Sequence, residues 1–155
     1  MQPIRDIKVI ALDSREYPDE AAIRKQIMEI RRSDGIYKAP QLSGHLEKKP
    51  IDGPTLILLH ARHPNSRSGK DAVYAYGLAL AGNTDDSGPT ITFDPKTILD
   101  IHPLCIDGLQ AALKSVSEDE WRKIFSSGMF SYNVISLPMK TLNEVQSLMK
   151  KMELQ

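Results

Sequence analysis

The chain has 155 residues, 41% hydrophobic and 26% charged, which excludes wholesale disorder and reads as one domain over residues 1–155. Its 20 Lys and Arg cancel its 20 Asp and Glu, so no global field pulls it to nucleic acid or to an anionic membrane, and any such affinity has to be local. The single cysteine, Cys105, excludes an internal disulfide and a thiolate zinc cluster and fits a reducing compartment.

Near the start, Arg5, Asp6 and Lys8 interrupt the apolar core that a signal peptide needs. No apolar run approaches the roughly 20 residues required to span a bilayer. The expectation is a cytoplasmic protein without a membrane partner. Residues 7–14, IKVIALDS, read as a strand rich in β-branched side chains. A helix follows over 18–35. Pro18 suits its first turn, Asp19 and Glu20 its positive end, and Arg31 and Arg32 its negative end, while Ile23, Ile27 and Ile30 recur at helical spacing. Gly35 is a stop signal. Residues 36–54 hold three prolines and two glycines and read as loop, with a short edge strand at 36–38.

Three strands come next, over 55–62, 72–82 and 90–99, the last bent or ended at Pro95. The turn formers of 83–89 predict an antiparallel meander. In the second of these strands Tyr74, Tyr76, Leu78 and Leu80 alternate with Val73, Ala75, Gly77 and Ala79, giving a bulky face and a small face. A strand apolar on both faces belongs at the centre of a sheet, and the small face admits a close neighbour. After a turn at 100–104 the pattern is helical over 105–116 and 117–125. A strand covers 132–138 and a helix 141–152. Ser117 with Glu120, and Thr141 with Glu144, have the spacing of capping boxes. The predicted class is α+β: a small mixed, mainly antiparallel sheet flanked by about four helices.

The most distinctive local stretch is 62–71, RHPNSRSGKD. Arg62, Arg67 and Lys70 are cationic, His63 joins them in acid, and the Ser, Asn and Gly between them suit phosphate oxygens. The plainer reading is a solvated hairpin loop. His60 and His63 lie three apart, but on a strand they point to opposite faces, so they predict no metal site. Cys105 sits near a predicted helix start with His102 and Asp107 close in sequence, an arrangement a cysteine enzyme also requires in space. Free cysteine more often packs as a small hydrophobe. Tyr37 and Tyr76, with His60, are candidates to line a pocket for a base. No catalytic residue, cofactor or metal is assigned.

The stretches DGPTLILLHAR (52–62), VYAYGLALAG (73–82) and FSYNVISLPMKTLNEVQSLMKKM (130–152) resemble the PUA-like superfamily, in particular its EVE and ASCH types. The resemblance covers about 100 residues. It implies a partly open β-barrel with flanking helices that binds nucleic acid, often at a modified or flipped base. The chain departs from that pattern in its single tryptophan, Trp121, and in the lack of any aromatic over 7–14, so no pocket chemistry carries over. The leading expectation is a nucleic-acid-binding module using Arg62, His63, Arg67 and Lys70. The alternatives are a small hydrolase, nuclease or transferase built on His60, His63 or His102 with Cys105 or an acid, and an immunity or accessory protein that binds a protein partner.

Overall fold

The computed structural model describes residues 3–12, 17–61, 72–126 and 134–154. Its strands are β1 (Asp6–Ala11), β2 (Ile36–Lys38), β3 (Ile51–Ala61), β4 (Ala72–Asp85), β5 (Gly88–Phe93), β6 (Leu99–Cys105) and β7 (Val134–Leu137). The helices are α1 (Glu20–Arg32), α2 (Ser43–Lys48), α3 (Ile106–Ala112), α4 (Glu118–Ser126) and α5 (Leu142–Met152). The strands form one open sheet in the order β2-β5-β4-β3-β1-β7, with β6 pairing β4 off that path. β1 runs parallel to β3, and every other described pair is antiparallel. The class is α+β, as the residue pattern predicts. No described helix is long and apolar enough to cross a membrane.

Alternation along β3 divides the core in two. Ile57, Leu59 and Ala61 pack with Ile23, Ile27 and Ile30 of α1 and Leu46 of α2. Leu56 and Leu58 face the other way, with Leu109 of α3, Trp121 of α4, and Val145 and Met149 of α5. Fully burying one such side chain stabilises the fold by about 1.5–3 kcal/mol. The sheet is therefore sandwiched between two helical layers, and β3 and β4 are central.

α1 starts as its sequence demands. Asp19 is the N-cap, and its carboxylate accepts from the Ala22 N–H at 2.9 Å. At its other end Asp34 and Gly35 take positive φ (57° and 81°), and the Gly35 N–H donates to the Ile30 carbonyl at 2.9 Å, closing the last turn. The capping box of α4 forms reciprocally: the Ser117 N–H donates to Glu120 at 3.1 Å, and the Glu120 N–H to Ser117 Oγ at 3.2 Å.

Four features depart from the sequence reading. Residues 99–105 make β6, although 100–104 read as a turn, because the strand pairs only with the first half of β4 while β5 takes the second half. The stretch 43–48, read as loop, forms α2, its glycine notwithstanding. Thr141 does not cap α5 with Glu144. Its hydroxyl donates to the Pro138 carbonyl at 2.7 Å within a 3₁₀ turn, while Glu144 accepts from Ser115. Finally, β4 carries a bulge at Tyr74: Leu59 pairs with Ala75 and His60 with Val73, skipping Tyr74. The extra residue flips the alternation. Tyr74 and Ala75 both join the α1 side, and Tyr76 faces α5. The expected common face of Tyr74 and Tyr76 does not exist. Beyond the bulge the small face survives, and Gly77 lets Ile98 approach so closely that a Cβ there would lie 3.0 Å from Ile98 Cγ1.

Tyr74 shows how the bulge is stabilised. Its carbonyl accepts from Arg24 Nη1 at 2.6 Å, and the same guanidinium lies 5.3 Å from its ring centroid. Arg24 also donates to the Ile101 carbonyl at 2.7 Å, and Arg31, two turns along α1, donates to the Ile98 carbonyl at 3.0 Å. Between them sits Asp100, 3.5 Å from Arg24 and 2.9 Å from Arg31. One carboxylate and two guanidinium groups thus fasten α1 to β6.

Candidate functional site

After Asp6 at its start, β1 is apolar except at Lys8, which alternation places on the α1 and α2 side of the sheet between Ile7 and Val9. Its residue is only 5% exposed. A buried ammonium is costly unless it is paired and hydrogen-bonded. Among the described residues Lys8 Nζ has three polar neighbours: Ser136 Oγ of β7 at 3.4 Å, His45 Nε2 of α2 at 3.5 Å and an Asp6 carboxylate oxygen at 3.6 Å. All three are longer than the 2.7–2.9 Å of a good charge-assisted bond. Lys8 is also among the residues that line a cleft of about 310 Å³.

The cleft lies where β1 and β3 begin, with Asp6 opposite Thr55. Arg5 and Lys49 stand exposed at its margin, and Ile51, Asp52 and Thr55 complete its wall. The Arg5 guanidinium is fixed by donating to the Asp52 carbonyl. Lys49 makes no ion pair with any described residue. Arg5, Lys8 and Lys49 line one concavity together with Asp6 and Asp52.

His45 reports the local field. Burial, then the charges of Lys8 and Lys49, hold its pKa below the ordinary 6.5, while Asp6 pulls weakly the other way. The imidazole is neutral at pH 7. Below pH 6.5 the unfolded chain takes up a proton that the folded one resists. The stability associated with neutral His45 is present above 6.5 and lost as pH falls through its depressed folded-state value. We expect the melting temperature to fall between pH 7.5 and pH 5 more steeply in the native chain than in His45→Gln, measured by circular dichroism. Parallel curves would show that His45 does not titrate in this way.

The residues singled out by sequence are placed as follows. Arg62, His63, Arg67 and Lys70 lie outside the described residues, in the connection between β3 and β4. His60 is 1% exposed near the end of β3. Tyr37 is 4% exposed, and its hydroxyl donates to the Leu12 carbonyl and accepts from Gln41. Tyr76 lies in the opposite core cluster, bonded to Glu153; burial, then that carboxylate, raises its pKa well above the usual tyrosine value. The structure does not bring Tyr37 and Tyr76 together, because they occupy opposite faces of the sheet.

No protein-family model matches the chain, and no curated protein matches its sequence.

Of the residues of the enzymatic alternative, His63 lies outside the described residues. His60 and Cys105 are on β3 and β6 with β4 between them, a separation of about 10 Å at ordinary strand spacing. His102 is exposed on β6. Cys105 is exposed at the start of α3, its sulfur accepting from the Gly108 N–H at 3.4 Å. Among the described residues no three His, Cys, Asp or Glu side chains gather as a metal site would require. Sequence reasoning overlooked Arg5, Lys8, His45 and Lys49. One signal was available: a lysine inside an apolar strand demands a partner, but the denser basic run further along the chain is the more conspicuous feature.

Proposed function

We propose that this chain is a small nucleic-acid-binding module and that the cleft of Arg5, Lys8 and Lys49 receives a phosphate of the strand. The observation that carries the reading is the Lys8 ammonium, 5% exposed, beside a cavity and, among the described residues, without a polar neighbour closer than 3.4 Å. Phosphate oxygens supply the short charge-assisted bonds that Ser136, His45 and Asp6 do not. Arg62, His63, Arg67 and Lys70 add a second grip in this proposal, one that rests on sequence alone. The PUA-like relationship belongs to the same proposal, supported by the mixed sheet with flanking helices and by the closing β7–α5 unit.

The test is fluorescence anisotropy of a labelled single-stranded oligonucleotide across a salt series. Removing one phosphate-binding cation flattens the log–log salt slope by about 0.7. Lys8→Met combined with Lys49→Met is expected to weaken binding about tenfold or more and to flatten the slope by about 1.4. Arg62→Ala with Arg67→Ala is expected to act similarly. Lys8→Met keeps the side-chain volume, and Asp6, with its side chain 43% exposed, stays solvated once its partner is gone, so the fold is expected to hold. An affinity unchanged in both double variants, or no oligonucleotide binding by the native chain, overturns the proposal.

A further inference from the structure

The three cations of the cleft are arranged in depth. The Lys8 side chain is only 6% exposed, at the back, while Arg5 and Lys49 are exposed at the front. An internal phosphodiester carries a nucleoside on each side, and both have to stay outside while its phosphate moves inward. A terminal phosphate has one neighbour and three free oxygens, enough to meet all three cations. It also carries a charge of about −1.5 to −2 at pH 7, against one negative charge for a diester. At about 310 Å³ the cavity is at the small end for a ligand site, holding one nucleotide-sized group rather than a strand threaded through it.

Resting on the nucleic-acid reading above, we propose that the cleft recognises the terminal phosphate monoester of a nucleic-acid strand in preference to its internal phosphodiesters. Lys8 binds the innermost oxygen, and Arg5 and Lys49 the outer ones. Asp6, 3.6 Å from Lys8 Nζ, competes with the phosphate for that ammonium.

The experiment compares one ten-nucleotide single strand with a 5′-phosphate, with a 3′-phosphate and with hydroxyls at both ends, each titrated with native chain, Lys8→Met and Asp6→Asn. A phosphate at one end is expected to tighten binding at least tenfold, with the gain lost in Lys8→Met. Asp6→Asn, which removes a competing charge without emptying the core, is expected to tighten the phosphorylated strand roughly threefold. Equal affinities for the three strands, with salt-dependent binding retained, overturn the end preference and leave the nucleic-acid reading standing. A preference that survives Lys8→Met overturns the assignment to this cleft. Binding of none of the strands overturns both readings. A nucleoside 5′-monophosphate that competes mole for mole with the phosphorylated strand overturns the strand as the source of the phosphate.

Discussion

Gly35→Ala is expected to be the most damaging single methyl group in the molecule. Gly35 has φ 81°, and a Cβ built there falls inside the van der Waals shell of the Phe93 carbonyl, 2.9 Å from its carbon and 3.2 Å from Pro95 Cδ. The obstacle is backbone, and it cannot step aside, because the Phe93 N–H donates to the Gly35 carbonyl at 2.8 Å. Left-handed strain and overpacking together cost about 3–5 kcal/mol. In a domain with about 5–15 kcal/mol of total stability, that lowers the melting temperature by roughly 6–20 °C. Gly44→Ala is the control, since α2 leaves open space at that position and alanine favours helix. Thermal unfolding followed by circular dichroism distinguishes them. If Gly35→Ala melts within about 2 °C of the native chain, the junction is looser than its geometry requires.

The second large effect is expected at Asp100. Its carboxylate is 28% exposed and is shared by Arg24 and Arg31, themselves 18% and 25% exposed. Removing it leaves Arg31, among the described residues, with the Ile98 carbonyl, and Arg24 with two carbonyls and the more exposed Glu20. Asp100→Ala should cost about 1–3 kcal/mol, above the usual range of an exposed ion pair. In urea titrations a double-mutant cycle with Arg31 is expected to show stronger coupling than one with Arg24, because the bond to Arg31 is 2.9 Å and the contact to Arg24 is 3.5 Å. A loss under about 0.5 kcal/mol for Asp100→Ala would mean that hydrophobic packing alone seats α1 on the sheet.

These two residues mark what could and could not be read from the chain. Gly35 was legible as a helix stop, because Ile23, Ile27 and Ile30 establish the period and glycine ends it. So were the Ser117 and Glu120 box and the central position of β4, since both follow from local spacing. Asp100 was not legible. It lies just before His102 and Pro103 in a run without clean alternation, and its strand forms by pairing with the first half of a distant β4. Tyr74 shows the same limit. A bulge is a relation between strands, so single-strand alternation put Tyr74 and Tyr76 on one face when the pairing with β3 separates them. The cleft was missed for a related reason. Arg5, Lys8, His45 and Lys49 come from two segments that β1–β3 pairing brings together, and no short window holds them all. Thr141 and Glu144 failed in the opposite sense: the local pattern was present, and Ser115 offered Glu144 a better donor.

The arginines on α1 have one more consequence. An unpaired strand flank offers a row of carbonyls and amides that a second chain can extend, the usual route to aggregation. At the start of β6 part of that row is already engaged: the Ile98 carbonyl just before the strand and the Ile101 carbonyl within it accept from guanidinium groups, and the Asp100 carbonyl accepts from the Leu154 N–H at 3.0 Å. Two side chains and the Leu154 amide thus stand where an additional strand would begin, and they shield the first half of β6 from intermolecular growth while α1 remains docked.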